Sequence, residues 1–300
     1  LGDWTPDEKK LKGGLKRLSG RIHALDLKFG IWVEPEMVSK VSALYEAHPE
    51  WAMEIPSKEH SEGRNQRVLD LSNDEVVSYL YETLSHILSS AKIEYVKWDL
   101  NRCFSDVYSK TLDPNRQGEA AHRYMIGLYR LLGRLTEAFP DVLFEGCASG
   151  GNRFDLGILS YFPQIWGSDN SNAASRLMIQ RGYSYGYPAS SYTAHVSAVP
   201  NHQTLAHSTL RARFAVACFG VLGYELNLLD LNKDELDEIK EQIAFYKRYR
   251  NLLQQGEFYR GDDGNLSSWS VVSPDKKLSI GMVYCKRNRP NMGQYRFYAK

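Results

Sequence analysis

The chain has 300 residues, enough to bury a large core in one large domain or in one domain and part of another. Its 37 basic and 36 acidic residues leave a formal net charge of +1, which argues against nucleic acid or an acidic membrane as the main partner. No apolar run approaches the roughly 20 residues that a membrane-spanning helix needs.

The start of the chain and the cysteines bear on its cellular compartment. The chain begins at Leu1, without a Met and without the layout of a signal peptide, so we expect the natural N-terminus to lie upstream. The 4 cysteines are far apart and form no Cys-x-x-Cys pair, which suits reduced thiols better than a disulfide framework. We therefore expect a cytoplasmic protein.

The predicted elements repeat the order strand, loop, helix. Leucines and other apolar residues at helical spacing predict helices, and short apolar runs that end in proline or small polar residues predict strands. Ser72 or Asn73 is the expected N-cap of the second helix. The predicted helices are 6–28, 74–91, 119–138, 173–182, 205–218 and 233–253, and the predicted strands are 29–35, 94–100, 142–148, 163–169, 192–198 and 221–229.

This repetition indicates an α/β fold with a parallel sheet, whose functional residues lie at the carboxyl ends of the strands. Six strands are two short of a closed barrel, so the pattern leaves open an open sheet or a barrel whose first two strands precede Leu1. The β/α units occupy 1–255. From 256 to 300 the pattern changes to strands at 268–272, 278–284 and 295–298, which predicts the beginning of a separate antiparallel domain.

Three polar residues end the second predicted strand. Side chains alternate along a strand, so Lys97, Asp99 and Asn101 are expected on one side of it. An ammonium group next to Asp99 would lower the pKa of the carboxyl group and keep it ionised, as a nucleophile requires. The alternative is a structural Lys–Asp pair that closes the strand.

A second carboxylate is needed if the chemistry is glycoside hydrolysis, since one group attacks or activates water and the other donates a proton. Asp169 is the best candidate for the donor, because partial burial near Trp166 would favour its protonated form. The alternative for Asp169 is an Asx-turn or an N-cap. The remaining carboxylates after strands are Glu34, Glu36 and Glu145; for Glu34 and Glu36 a structural salt bridge is at least as good an interpretation as a ligand role.

Several other kinds of site are not supported. The 8 histidines show no His-Glu-x-x-His or paired-ligand spacing, which argues against a metal. The Ser149-Gly150-Gly151 turn is neither a Walker loop nor a dinucleotide-binding motif, and no Gly-x-Ser-x-Gly elbow occurs. We therefore expect no metal and no nucleotide cofactor.

Five longer motifs follow one another along the chain. They are GIWVEPEM at 30–37, YVKWDLNR at 95–102, EGCASGG at 145–151, WGSDN at 166–170 and AHVSAVPNH at 194–202. In this order they closely resemble the α-galactosidases of glycoside hydrolase family 36, and the resemblance covers nearly the whole chain. It implies a (β/α)8 TIM barrel that lacks its first two strands here, and hydrolysis of terminal α-galactosides of the melibiose or raffinose type with retention of configuration.

The resemblance also implies roles for single residues. Asp99 matches the catalytic nucleophile and Asp169 the general acid/base, which a retaining mechanism places at one end of the barrel with carboxyl groups about 5–5.5 Å apart. The positions that line the galactose pocket are Trp32, Arg64, Lys97, Asn101, Cys147 and Gly150. Arg64 is identified by the resemblance alone. The expected partners are α-galactoside oligosaccharides and further copies of the full-length protein, possibly in a tetramer.

The chain also departs from the family. It has neither the N-terminal β-sandwich nor the Asp-Asp-Gly-Trp motif that binds galactose hydroxyls, and Asn152 stands where many relatives have glycine. Two alternatives follow: a galactosyl transferase in which a sugar hydroxyl replaces water, and a non-catalytic sugar-binding or structural fragment.

Overall fold

The computed structural model describes residues 1–287, 290–291 and 294. These residues fall into two units that divide between Pro163 and Gln164. The predicted strand at 295–298 lies outside the described residues. No helix of the described part is both long and apolar enough to cross a membrane.

The first unit is built around three parallel strands. Strand β4 (Tyr95–Trp98) pairs with β1 (Gly30–Val33) on one side and with β5 (Leu143–Gly146) on the other. The register places Trp32 beside Lys97 and Lys97 beside Glu145. The other elements of this unit are α1 (Gly14–His23), β2 (Met37–Val38), α2 (Ala43–Ala47), β3 (Arg67–Val68), α3 (Asp74–Ser90), α4 (Ala120–Ala138) and α5 (Leu156–Leu159), and β2 and β3 form an antiparallel pair.

The second unit contains three more parallel strands and an antiparallel sheet. Its parallel strands are β6 (Gln164–Trp166), β7 (Tyr192–Ser197) and β8 (Val221–Glu225), with β7 between the other two. The antiparallel sheet consists of β9 (Glu257–Asp263), β10 (Leu266–Val272) and β11 (Ser279–Cys285), with β10 in the middle. Its helices are α6 (Ala173–Tyr183), α7 (Leu210–Ala217) and α8 (Lys233–Gln255).

Each unit buries its apolar residues between helices and sheet. The apolar face of helix α3, which includes Leu80 and Leu84, is buried in the core. Trp98 of β4 is fully buried as well. In the second unit Trp269 of β10 belongs to a core cluster with residues of α6, α7 and α8. Burial of these faces is the main contribution to the stability of such layers.

Most predicted elements form within a few residues of their expected bounds. All six parallel strands are present, and Asn73 caps α3 by accepting a hydrogen bond from the Glu75 N–H. The helix predicted over 6–28 is wrong in extent, because Gly13 and Gly14 have φ angles of 81° and 63° and α1 begins only at Gly14, the second residue of this left-handed turn. The helix predicted from Leu205 begins instead at Leu210, after the N-cap Thr209.

The sequence patterns missed two features. Strand β9 was not predicted because its second half, Arg260–Asp263, is charged and contains glycine, and its strand conformation depends on pairing with β10. The antiparallel pair of β2 and β3 was missed because its strands have only two residues each. The proposed domain division at 255/256 stays a prediction.

A glycine in α4 allows a close approach between this helix and the chain before α3. A Cβ atom on Gly127 would lie 1.7 Å from the Leu71 carbonyl oxygen, which is main chain and cannot rotate away. We expect Gly127→Ala to destabilise the fold by about 3 kcal/mol through overpacking. The measurement is the midpoint of thermal or urea denaturation of a full-length protein that carries this chain.

Gly133→Ala in the same helix is the matched control. A Cβ on Gly133 would make only an ordinary contact, 3.6 Å from the Tyr161 ring. This change should be neutral or stabilise by roughly 0.5–1 kcal/mol, since alanine favours helix. Equal midpoints for the two variants would contradict the predicted close packing at Gly127.

Candidate active site

Asp99 lies directly after β4 and is almost completely buried, with 7% of its surface exposed. Its main-chain N–H donates to the Val33 carbonyl of β1 over 2.8 Å, which extends the pairing of the two strands by one residue. The Asp99 side chain is therefore held in a fixed position at the C-terminal end of β4.

Four donors surround the Asp99 carboxylate. The Trp32 indole N–H donates to Oδ2 over 3.1 Å, and the main-chain N–H of Leu100 donates to Oδ1 over 2.8 Å. The Cys147 thiol and the Asn101 amide add two side-chain hydrogen bonds. Burial by itself would raise the pKa of Asp99, but these hydrogen bonds favour the charged form and the pKa lies below its usual value.

The lowered pKa of Asp99 agrees with the sequence prediction, and a role of Lys97 in lowering it stays a prediction. The main causes that lower it are four hydrogen bonds, from Cys147, Asn101, Trp32 and Leu100. The Lys97 ammonium lies 4.0 Å from a carboxylate oxygen of Glu145, its neighbour on β5. A partner on another strand cannot be read from the two-residue spacing of Lys97 and Asp99.

Glu34 and Glu36 are both buried, and their contacts differ. Glu36 accepts hydrogen bonds from both Nη atoms of Arg153, at 3.0 and 2.9 Å, and forms the salt bridge that the sequence suggested. Glu34 accepts from the main-chain N–H of Asn101 over 2.7 Å and from Gln66 over 2.9 Å. Burial and the nearby Asp99 charge raise the pKa of Glu34. The sequence did not reveal that Glu34 lies close enough to Asp99 to interact with its charge.

Cys147 and Gly150 belong to a tight loop after β5. The Cys147 N–H donates to the Trp98 carbonyl over 2.7 Å, so the loop starts beside the end of β4. Ser149 and Gly150 have φ angles of 47° and 88°, and the Asn152 side chain donates to the Ala148 carbonyl over 2.9 Å. The Asn152 amide therefore closes the loop.

Arg64 is the first of the two central residues of a tight turn. The Gln66 N–H donates to the Gly63 carbonyl over 3.0 Å, and Arg64 and Asn65 have φ angles of 55° and 56°. Positive φ at both central residues is characteristic of a type I′ turn, which is unusual for arginine. The exposed Arg64 side chain is carried by this turn, and its backbone conformation is a signal that only the structure provides.

Asp169 belongs to the second unit and follows β6. It is partly buried, and the Trp166 indole N–H donates to its Oδ1 over 3.0 Å. The alternative of an Asx-turn or N-cap at Asp169 is wrong, because neighbouring residues fill those positions. Asn172 caps α6 by accepting from the Ser175 N–H, and the Asn170 side chain accepts from the Asn172 N–H.

In the first unit the structure brings together Trp32, Asn101 and Cys147 around Asp99, with the Gly150 loop next to them. Asp169 has the matching motif in the second unit: an indole N–H bound to a carboxylate after a parallel strand. Among the described residues, no group of three or more His, Cys, Asp or Glu side chains is placed to hold a metal ion.

Comparison with known proteins assigns the chain to a family. Residues 1–256 match the family model described as Melibiase. The chain belongs to the melibiase family.

Individual relatives agree with this assignment. The chain is 50% identical over 283 residues to Alpha-galactosidase AgaA of Geobacillus stearothermophilus, covering 93% of the chain and 39% of that relative. It is 44% identical over 285 residues to Alpha-galactosidase Mel36A of Lactobacillus acidophilus, covering 94% of the chain and 39% of that relative. The chain thus spans about two fifths of the length of these relatives.

Solved structures confirm the fold class. A crystal structure of the α-galactosidase from Lactobacillus brevis matches 100% of the chain and 41% of its own, with a TM-score of 0.98 and 50% identity. That of the GH36 α-galactosidase AgaA from Geobacillus stearothermophilus matches 98% of the chain and 41% of its own, with a TM-score of 0.96 and 48% identity. The chain therefore has the fold of a (β/α)8 barrel without its first two strands, followed by the beginning of an antiparallel β domain.

The thiol next to Asp99 should be chemically inert in the folded protein. Cys147 is 4% exposed, and burial, followed by the Asp99 charge, raises the pKa of its thiol. Thiolate is the reactive form, so we expect iodoacetamide at pH 8 to label exposed Cys103 at least about 100-fold faster than Cys147. Peptide mass spectrometry over a time course measures both rates.

Cys218 is the matched buried control, since burial raises its pKa to about 12 and it lies in the other unit. Cys147 and Cys218 should both become labelled at the rate of Cys103 after denaturation. Fast labelling of Cys147 in the folded protein would contradict its hydrogen-bonded position beside Asp99.

Proposed function

We propose that the full-length enzyme carrying this chain is a retaining α-galactosidase that removes terminal α-galactose from melibiose- and raffinose-type sugars. The proposal is supported by membership of the melibiase family and by relatives named as α-galactosidases. A related structure, 50% identical in sequence, is described as a GH36 α-galactosidase in complex with raffinose, and another as a complex with stachyose.

The observation that carries the proposal is the environment of Asp99. A nucleophilic carboxylate must be ionised in a site from which water is largely excluded, and those two requirements oppose each other. At Asp99 the hydrogen bonds from Trp32, Leu100, Asn101 and Cys147 stabilise the negative charge that burial would otherwise disfavour. The carboxylate is therefore available as an anion at the mildly acidic or neutral pH at which a proton donor still holds its proton.

In the proposed mechanism Asp99 attacks the anomeric carbon of galactose. A bond forms between this carbon and a carboxylate oxygen while the glycosidic bond breaks, and the leaving oxygen takes the electron pair and a proton from Asp169. Asp169, now a carboxylate, then removes a proton from water. The water oxygen attacks the anomeric carbon, releasing galactose of retained configuration and restoring the Asp99 carboxylate.

The six proposed pocket residues have different parts in this proposal. Trp32, which is 47% exposed, combines an indole N–H bound to Asp99 with a ring that can stack on a sugar face. Asn101 and Cys147 supply polar groups beside Asp99, and Lys97 supplies a charge that acts on the Cys147 thiol. Arg64 and Gly150 lie in turns. The spacing of about 5–5.5 Å between the carboxyl groups of Asp99 and Asp169, and the oligomeric state, stay predictions.

Substitution of each carboxylate in the full-length enzyme tests the two roles. We expect Asp99→Ala to lower kcat for nitrophenyl α-galactoside and for raffinose alike, by at least about 1,000-fold, because no galactosyl-enzyme can form. We expect Asp169→Ala to lower kcat/KM for raffinose by about 100- to 10,000-fold and much less for nitrophenyl galactoside, because nitrophenolate leaves without a proton. Exposed Asp113→Ala is the control and should keep normal rates.

Azide identifies the step that each variant has lost. In the Asp99 variant azide replaces the nucleophile in one displacement and should give the inverted β-galactosyl azide. In the Asp169 variant it attacks the galactosyl-enzyme and should give the retained α-galactosyl azide. The opposite pair of products would mean that Asp169 is the nucleophile and Asp99 the acid/base. An active Asp99→Ala enzyme would refute the proposal.

The indole hydrogen bond to Asp99 should appear in the pH profile. Trp32→Phe removes a donor that favours the charged form, so the pKa of Asp99 rises and the acidic limb of kcat/KM moves to higher pH by about 1 unit. The limb of kcat/KM reports the free enzyme and is therefore separate from any loss of sugar stacking.

Trp4→Phe provides the comparison. The ring centroids of Trp4 and Trp32 are 6.3 Å apart, and the Trp4 indole N–H has no hydrogen-bond partner among the described residues. Its removal should leave the acidic limb in place. A shift of the same size in both variants would mean that ring packing rather than the hydrogen bond controls Asp99.

A further inference from the structure

Arg176 of α6 is a buried cation beneath the loop that carries Asp169. Only 2% of Arg176 is exposed. Its guanidinium group donates to the Ser168 carbonyl over 2.5 Å, to the Asn170 carbonyl over 2.9 Å and to the Thr193 carbonyl over 3.2 Å. The first two carbonyls belong to the residues immediately before and after Asp169.

The same guanidinium group contacts Trp166. Its central carbon lies 4.4 Å from the centroid of the Trp166 ring, within the range of a cation–π interaction. The Trp166 N–H in turn donates to Asp169. Arg176 therefore fixes the main chain on both sides of Asp169 and also the ring that binds its carboxyl group.

Burying the guanidinium charge of Arg176 in a protein core reduces stability, because the charge loses its hydration. Burial lowers the pKa of Arg176 to about 10, because the charge has been removed from water. An apolar side chain of similar volume often stabilises a protein core as well as a buried charge does or better. The planar guanidinium fork, however, can hold several carbonyls in one fixed geometry, which an apolar side chain cannot.

We propose that Arg176 is the positioning residue for Asp169, holding its loop so that the carboxyl group meets the leaving oxygen of the substrate. This inference rests on the proposed role of Asp169 as general acid/base. Arg176 itself does not touch the substrate. Proton transfer depends on hydrogen-bond distance, so a loop shift of an ångström weakens it without removing the carboxyl group.

Displacement of the Asp169 carboxyl group can be distinguished from a general loss of stability by comparing the rates on two substrates. Raffinose releases a sugar alkoxide unless its leaving oxygen is protonated, whereas nitrophenolate is stable without a proton. Loss of acid catalysis therefore lowers kcat/KM for raffinose far more than for nitrophenyl α-galactoside, while partial unfolding lowers both equally. The ratio of the two losses is the quantity to measure.

The experiment uses Arg176→Met and Arg176→Lys in the full-length enzyme. For Arg176→Met we expect kcat/KM to fall about 100-fold for raffinose and less than about 5-fold for nitrophenyl galactoside. Azide should accelerate turnover of nitrophenyl galactoside by this variant, because it replaces the water that Asp169 no longer activates. Arg176→Lys can still donate to one or two carbonyls, so its raffinose loss should be about 10-fold and its nitrophenyl galactoside rate nearly normal.

Arg181→Met is the matched control. Arg181 lies on the same helix, and its charge is paired at 2.9 Å with Asp262 at the surface of the unit. We expect this variant to treat both substrates normally. If Arg176→Met does not fold, Arg176→Lys alone decides the question through the same ratio.

Two results separate this inference from the proposed function. If Asp169→Ala shows the raffinose-selective loss and neither Arg176 variant does, Arg176 is a structural residue and the inference is overturned. If Asp169→Ala shows no selectivity, the acid/base assignment fails first. A loss of equal size on both substrates in Arg176→Lys, with a lowered denaturation midpoint, also overturns the inference.

Discussion

The salt bridge between Glu36 and Arg153 fixes the first unit around its candidate site. Glu36 has no exposed surface, and its hydrogen-bond partners are two Nη atoms of Arg153, the Trp98 indole N–H at 2.7 Å and the Tyr124 hydroxyl group. These partners come from β4, α4 and the chain after the Gly150 loop. A buried ion left without one partner is strongly destabilising, so these segments must form their contacts together. Asp99 directly follows Trp98 and takes its position from this arrangement.

The two candidate carboxyl groups are held in different ways, and the difference suits different chemistry. Asp99 is buried and accepts hydrogen bonds from both side chains and main chain, which favour its ionised form and lower its pKa. Asp169 is partly exposed, with an indole N–H at one oxygen. A group that must donate and accept a proton in each cycle needs contact with solvent or substrate, whereas an attacking group needs a constant charge.

Sequence patterns predicted the strands and the local caps because both depend on nearby residues. The alternation at β4 and the cap at Asn73 are of this kind. What the sequence missed depends on contacts between distant residues. The pairing of Lys97 with Glu145 requires knowledge of strand order, and β9 requires β10 beside it. The family resemblance singled out Asp99, Asp169 and Arg64, but neither the Glu34–Asn101 contact nor the guanidinium group of Arg176 beneath Asp169 could be inferred from it.

The type I′ turn at Arg64 has a consequence for the energetics of the sugar binding that we propose for this residue. A long side chain on a flexible loop loses backbone entropy when it first engages a ligand, and that loss subtracts from affinity. Here Gly63 and Gln66 close the turn before any ligand arrives. The backbone is ordered during folding, so only the rotamers of Arg64 remain to be restricted. An arginine delivered in this way would discriminate among hydroxyl arrangements through the geometry of its guanidinium group, with little penalty for ordering its main chain.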